Sequence, residues 1–160
     1  MASSITAKNL KVTITESISL NGTEQGGTNI LNISSITDVF KRIVSCTASQ
    51  TTIIATFNND VHGAAGAIDI QNSKYIRVTN LDNTNPVELG IVGAATLYQV
   101  TLSAGESHIL GSADDLMLAE ADTSPSFGTM ADIASIQVAV GSAAVDVEIL
   151  TPVPLVVVPK

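Results

Sequence analysis

Apolar residues recur at every second position through much of this chain. Leu10, Val12, Ile14, Ile18 and Leu20 fall on one side of an extended segment, with Lys11, Thr13, Thr15, Ser17 and Ser19 on the other. That period predicts a half-buried strand, or two strands with a kink near Glu16. Asn21-Gly22 marks a turn, and Gly26-Gly27 extends it into a loop. Residues 28–36 read as extended by composition. Thr37-Asp38 could cap a short helix over Val39–Val44, but the β-branched neighbours favour a strand there. Thr51–Phe57 is a clearer strand, with Ile53, Ala55 and Phe57 on one side, and residues 58–67 form a loop of small residues.

The stretch Lys74–Gly111 predicts four short strands joined by turns, and the fold is expected to organise around it. Ile76 and Val78 share one face; Val87, Leu89 and Ile91 share another; Tyr98, Val100 and Leu102 point inward; Ser107–Leu110 follows the turn Ser103–Glu106. Short strands about ten residues apart are the signature of an antiparallel sandwich or barrel. Residues 111–132 break the rhythm. Ser112 with Asp115 predicts a capped helix through Ala121, and Pro125 and Gly128 then enforce irregular chain. Residues 133–150 predict a hairpin, with Ile136, Val138 and Val140 joined through Gly141-Ser142 to Val145, Val147 and Ile149.

The expectation is an all-β protein: an antiparallel β-sandwich of about eight strands, jelly-roll-like. Residues 1–150 would make a single domain with 111–132 as an insertion. Residues 151–160, TPVPLVVVPK, would be an extended arm. Free in water that arm is an aggregation hazard. It is therefore expected, together with an N-terminal arm, to dock on a neighbouring subunit. Its candidate partner-binding residues are Pro152, Pro154, Leu155, Val156, Val157 and Val158.

Composition sharpens this. At 160 residues the chain suits one domain. Charged residues are only 14%, against roughly 25% in ordinary proteins, so part of the surface is expected to be covered by copies of the chain or by a partner. The net charge of −8, with Lys41-Arg42 the one basic pair, argues against direct nucleic-acid binding and against anionic membrane surfaces. No apolar run approaches the roughly 20 residues of a membrane span, and the start lacks the apolar segment of a signal peptide. Synthesis in a cytoplasm is expected. Cys46 stands alone in an apolar run and reads as an inert buried residue.

Candidate chemistry is thin. His62 and His108 are the two histidines, and Ser107-His108 near Asp114 and Asp115 invites a hydrolase reading. No nucleophile-elbow motif accompanies it. The carboxylates Asp114, Asp115, Glu120, Asp122 and Asp132 crowd one region without EF-hand spacing, and read as a solvated acidic loop rather than a calcium site. No phosphate loop or dinucleotide fingerprint occurs, so no catalytic residue, cofactor or metal is expected. Asn21-Gly22-Thr23 and Asn32-Ile33-Ser34 match the glycosylation acceptor by chance. Tyr75 and Tyr98 could stack on sugars if exposed, although sheet packing explains them more cheaply.

Two segments carry a resemblance. One is ITAKNLKVTITESISLNGTEQGGTN followed by ITDVFKRIVSC and TTIIATF. The other is KYIRVTNLDNTNPVELGI followed by YQVTLSAGESHIL. Together they resemble small virion structural proteins of tailed phages, of the cyanophage and aquatic-phage type, over most of residues 5–110. The resemblance implies a non-enzymatic virion component. The reading it favours is a capsid decoration or cement protein on the outside of the head, bridging major capsid protein subunits as a homotrimer. The alternatives are a tail or adaptor component of the same virion and a carbohydrate-binding module.

Overall fold

The computed structural model describes residues 5–59, 67–93, 97–118 and 128–154. Twelve strands follow in order: β1 (Lys8–Thr15), β2 (Ser19–Leu20), β3 (Thr23–Glu24), β4 (Thr28–Cys46), β5 (Thr51–Asn58), β6 (Ile68–Asp69), β7 (Ile76–Asn80), β8 (Val87–Gly93), β9 (Leu97–Leu102), β10 (Ser107–Leu110), β11 (Ile133–Val140) and β12 (Val145–Pro154). Among the described residues there is no helix.

The topology follows from one pairing rule. β4 pairs with β12, β5 with β11, β7 with β10 and β8 with β9, all antiparallel. These are the pairs of a single long hairpin, first strand with last and inward, rolled so that successive pairs alternate between two sheets. The sheet orders are β1-β4-β12-β7-β10 and β6-β5-β11-β8-β9. Without the flanking β1 and β6 these are two four-stranded sheets in jelly-roll order. The expected sandwich of about eight strands is therefore present. β6, parallel to β5, is a short mixed-sheet addition.

Rolling explains why one expected hairpin is absent. β11 and β12 alternate as the sequence predicts, yet β11 lies between β5 and β8 while β12 lies between β4 and β7. Gly141-Ser142 belongs to a crossover from one sheet to the other. The amide of Ser49, in the matching β4–β5 crossover, donates to the Gly141 carbonyl (2.7 Å) and ties the two crossovers together.

The core lies between the inner faces. Ile76, Val78, Leu89, Ile91, Ile136 and Val138 are fully enclosed, joined by Val147 and Ile149 from β12. Each such side chain contributes about 1.5–3 kcal/mol by leaving water. β5 departs from the expected alternation. A register shift opposite Ile136/Gln137 inserts an extra residue, so Ile54 turns inward and Ile53 outward. The helix expected from Ser112 is absent over the described residues of that segment. Ser112 Oγ accepts instead from the Asp114 amide (3.2 Å), Asp115 sits at φ 49°, and Met117 bridges Ala131. The hydroxyl caps a turn rather than a helix.

Asn80 is the polar rivet of this core. It is fully buried, and its Nδ2 faces the carbonyls of Asn85 (2.9 Å), Leu102 (3.2 Å) and Ser103 (3.2 Å), while Oδ1 accepts from the Asp82 amide (3.0 Å). It thereby ties the end of β7 in one sheet to the end of β9 in the other. Replacing it with a near-isosteric carboxylate removes the donor and buries a charge against carbonyl oxygens. Asn80→Asp should cost about 3–5 kcal/mol at neutral pH in urea unfolding, and Asn80→Ala less, because water can enter the space. A change within about 0.5 kcal/mol for Asn80→Asp would contradict the rivet.

Candidate interaction surface

β4 is far longer than the sandwich that uses it. Its second half, from Ile36 to Cys46, pairs with β12; its first half pairs with β1 alone. The ladder continues beyond β1. The Glu16 amide donates to the Gly27 carbonyl (2.9 Å), the Gln25 amide to the Ile18 carbonyl (2.8 Å), and β2 pairs with β3. Asn21 and Gly22, at φ 51° and 76°, close the tip with both central residues left-handed, as a tight hairpin turn requires. Glu24 Oε1 accepts from the amides of Ile18 and Gly26, both at 2.9 Å, which holds its pKa below the ordinary carboxylate value. A Cβ at Gly26 would lie 1.9 Å from the Glu16 carbonyl oxygen, so only glycine fits. The result is a two-stranded arm extending about 45 Å at 3.3 Å per residue.

One local feature sets the arm's chemistry. The pairing shifts between Lys8↔Ile36 and Leu10↔Ile33, and Ser35 takes a left-handed φ of 63°. The extra residue in β4 resets the two-residue phase. Leu31 and Ile33 therefore fall on the same side as Ile36, Phe40 and Val44, which is the inner side of the first sheet. Leu10, Val12 and Ile14 share that side by register. The arm thus prolongs the inner face of one sheet with no second sheet over it. Ile14, Leu31 and, near the tip, Ile18 and Leu20 remain about half exposed. The sequence displayed this alternation; it did not display the missing cover.

The rest of the first sheet's outer face is bound more tightly. Glu148 lies between Lys41 (3.1 Å) and Arg77, and these partners, Lys41 foremost, lower its pKa from the ordinary value. Val39 and Ile43 stand exposed beside this network.

The expected tail begins later than residue 151. Thr151–Pro154 are the last rungs of β12, facing Phe40, Val39, Asp38 and Ile36 of β4. Thr151 and Pro152 are buried and Pro154 is half-buried at the root of the arm. Pro152 is therefore a fold residue. Leu155, Val156, Val157 and Val158 lie outside the described residues, as do His62, Glu120 and Asp122.

The hydrolase juxtaposition does not assemble. Ser107 faces outward and shares a hydrogen bond with Thr79 Oγ1 (2.8 Å), whereas His108 points inward to the Tyr98 hydroxyl (3.2 Å). Burial raises the Tyr98 pKa and lowers that of His108, so this neutral pair bridges the two sheets at their rim. Tyr75 is only 4% exposed and presents no ring face for stacking on a sugar, while Tyr98 is half-buried. Cys46 is enclosed, and desolvation raises its pKa. Asp114, Asp115 and Asp132 do converge, with carboxylate oxygens within 4.8 Å of one another. That is oxygen chemistry of the kind hard cations use, but Asp132 Oδ1 is already engaged by the Asp115 amide (3.0 Å).

No protein-family model and no curated protein matches the chain. One solved structure, described as a Bacillus endospore appendage of a family of disulfide-linked pili, is 10% identical over 97% of each chain, with a TM-score of 0.39. A likeness of that degree carries no argument.

Desolvation, the hydrogen bond to Asp132 and the charges of Asp115 and Asp132 raise the pKa of Asp114 from its ordinary value. A carboxyl raised in the fold stabilises below its unfolded pKa, and that stability is lost as pH rises through the folded value. Asp132→Asn keeps an oxygen for the Asp115 amide and removes one charge. It should raise Tm at about pH 7, with the gain shrinking toward about pH 4. A gain independent of pH would contradict repulsion as its source.

Proposed function

We propose that this chain is a non-enzymatic structural protein of a phage virion, a capsid decoration or cement protein that lies on the head exterior and bridges major capsid protein subunits as a homotrimer. The observation that carries the reading is the arm. An isolated two-stranded ribbon is marginally stable in water, and this one presents an apolar face that nothing else in the described chain covers. Such a projection serves attachment. The jelly roll beneath it anchors the arm through β4, which runs unbroken from the arm into the sandwich and so transmits load along a single backbone. Clamping neighbouring subunits resists internal pressure by adding buried area at their seams and requires no reaction.

The low share of charged residues supports the same reading, since a surface destined for contact does not need a full charged shell. The last described rung of β12, Pro154 opposite Ile36, lies at the arm's root.

Quantitative mass spectrometry of purified particles tests the assignment. A decoration protein should be present in on the order of hundreds of copies per particle, as the symmetry of a shell dictates. A copy number of tens or fewer would place the chain in the tail or an adaptor instead. Truncation after Pro154 keeps every described rung of β12. It should leave Tm unchanged while weakening binding to heads. Undiminished binding would remove the tail from the attachment surface.

A further inference from the structure

We infer that Asn21, at the tip of the arm, is a modification site. Its side-chain amide is lost to attack by the Gly22 backbone nitrogen, and the isoaspartate that results undoes the tip. The reaction consumes water alone, and the inference stands independently of the virion reading above.

Chemistry selects the residue. Attack on an asparagine side chain by the following backbone nitrogen closes a succinimide ring, and a side chain on the following residue crowds that approach. Asn21-Gly22 is the one place in the chain where glycine follows asparagine. The site is also open. Asn21 and Gly22 are both exposed, and no heavy atom beyond the chain neighbours lies within 4 Å of where a Gly22 Cβ would stand. Neither the Asn21 side chain nor the Gly22 amide has a hydrogen bond among the described residues. Other asparagines are held. Asn80 is buried and bonded at both ends of its amide, Asn72 Nδ2 donates to Asp69 (2.7 Å), and Asn83 Oδ1 accepts from the Thr84 hydroxyl (3.0 Å).

The turn governs the rate and registers the damage. With Asn21 left-handed at φ 51°, the Gly22 nitrogen sits away from Cγ, so the ring closes when the tip opens. Little resists that opening. β2 and β3 meet only at Ser19↔Glu24 and Leu20↔Thr23, and such frayed ends open at low free energy. In the ring-closing step the Gly22 N–Cγ bond forms, its amide proton passes to solvent base, and the Cγ–Nδ2 bond breaks with Nδ2 leaving as ammonia. Water then opens the ring. Opening at the former main-chain carbonyl routes the backbone through Cβ and Cγ, which yields isoaspartate; opening at the other carbonyl yields aspartate. Isoaspartate lengthens the main chain by one atom inside a turn whose length fixes the pairing. The rungs beside it, and the bonds from the Ile18 and Gly26 amides to Glu24, depend on that pairing. The tip therefore ages while the sandwich does not.

The test holds the purified full chain at about pH 8.5, where base takes the attacking amide's proton faster than at neutrality. Peptide mapping by mass spectrometry then scores every asparagine. Conversion at position 21 should outrun that at any other asparagine at least about tenfold, with isoaspartate the larger product. Asn21→Gln, which would need a larger ring, should stay intact over the same period. In the aged chain the NMR contact across Leu20↔Thr23 should vanish, while that across Val78↔Ile149 persists. Asn21→Asp supplies the charge without the extra backbone atom and should keep the Leu20↔Thr23 contact.

An unaltered position 21, or conversion spread evenly over the asparagines, would overturn the inference. An aged chain that keeps the tip contact would overturn it too, because the turn would then tolerate the added atom. Loss of the contact in Asn21→Asp would do the same, by assigning the effect to charge.

Discussion

A strand buried along only half its length governs this molecule. β4 supplies an outer partner for β12 in the sandwich and then continues as one strand of a ribbon on which none of the described residues packs a second layer. Ladder hydrogen bonds join β4 to β1 along its first half and to β12 along its second, but hydrophobic stabilisation requires a second layer, and the described chain provides that layer only from Ile36 onward. Everything distinctive about the protein follows from the gap between those two requirements. The sandwich is self-sufficient, riveted by Asn80 and enclosed by two sheets. The arm's strands are paired with each other along one edge and left without a packed layer among the described residues.

Small backbone devices convert that situation into a defined surface. The left-handed Ser35 shifts the phase of β4 by one residue, so the arm's apolar side chains align with the inner face of the sheet. Without the extra residue the same sequence would turn Leu31 and Ile33 to the polar side and dissolve the stripe. Asn21-Gly22 sets the tip, and Gly26 permits a close approach that any side chain would block. These positions shape a surface rather than a core.

Much of the fold was legible because burial writes itself as alternation. Ile76, Val78, Leu89, Ile91, Val138 and Val147 read as inward from the sequence and lie inward in the structure. What alternation cannot encode is which strand sits beside which. β11 and β12 are adjacent in sequence and separated by a turn suited to a hairpin, yet the roll places them in opposite sheets, since β12 closes on β4 about a hundred residues earlier. The bulge that exposes Ile53 was hidden for a related reason, being fixed by the partner strand rather than by β5 itself. Ser112 and Asp115 looked like a helix cap because hydroxyl-to-amide bonding is common to caps and turns. The apolar face of the arm was half visible. Its apolar positions were plain in residues 10–20, while Pro152, expected in the tail, is a buried rung of β12 opposite Val39.

Hydrogen exchange tests the central claim most directly. In the dilute chain the amides of Leu10–Ile14 and Ile30–Ile33 should exchange orders of magnitude faster than those of Val78, Val138 and Ile149, because ribbon hydrogen bonds open locally without disturbing the sandwich. Arm amides as protected as the sandwich in the dilute chain would contradict the account.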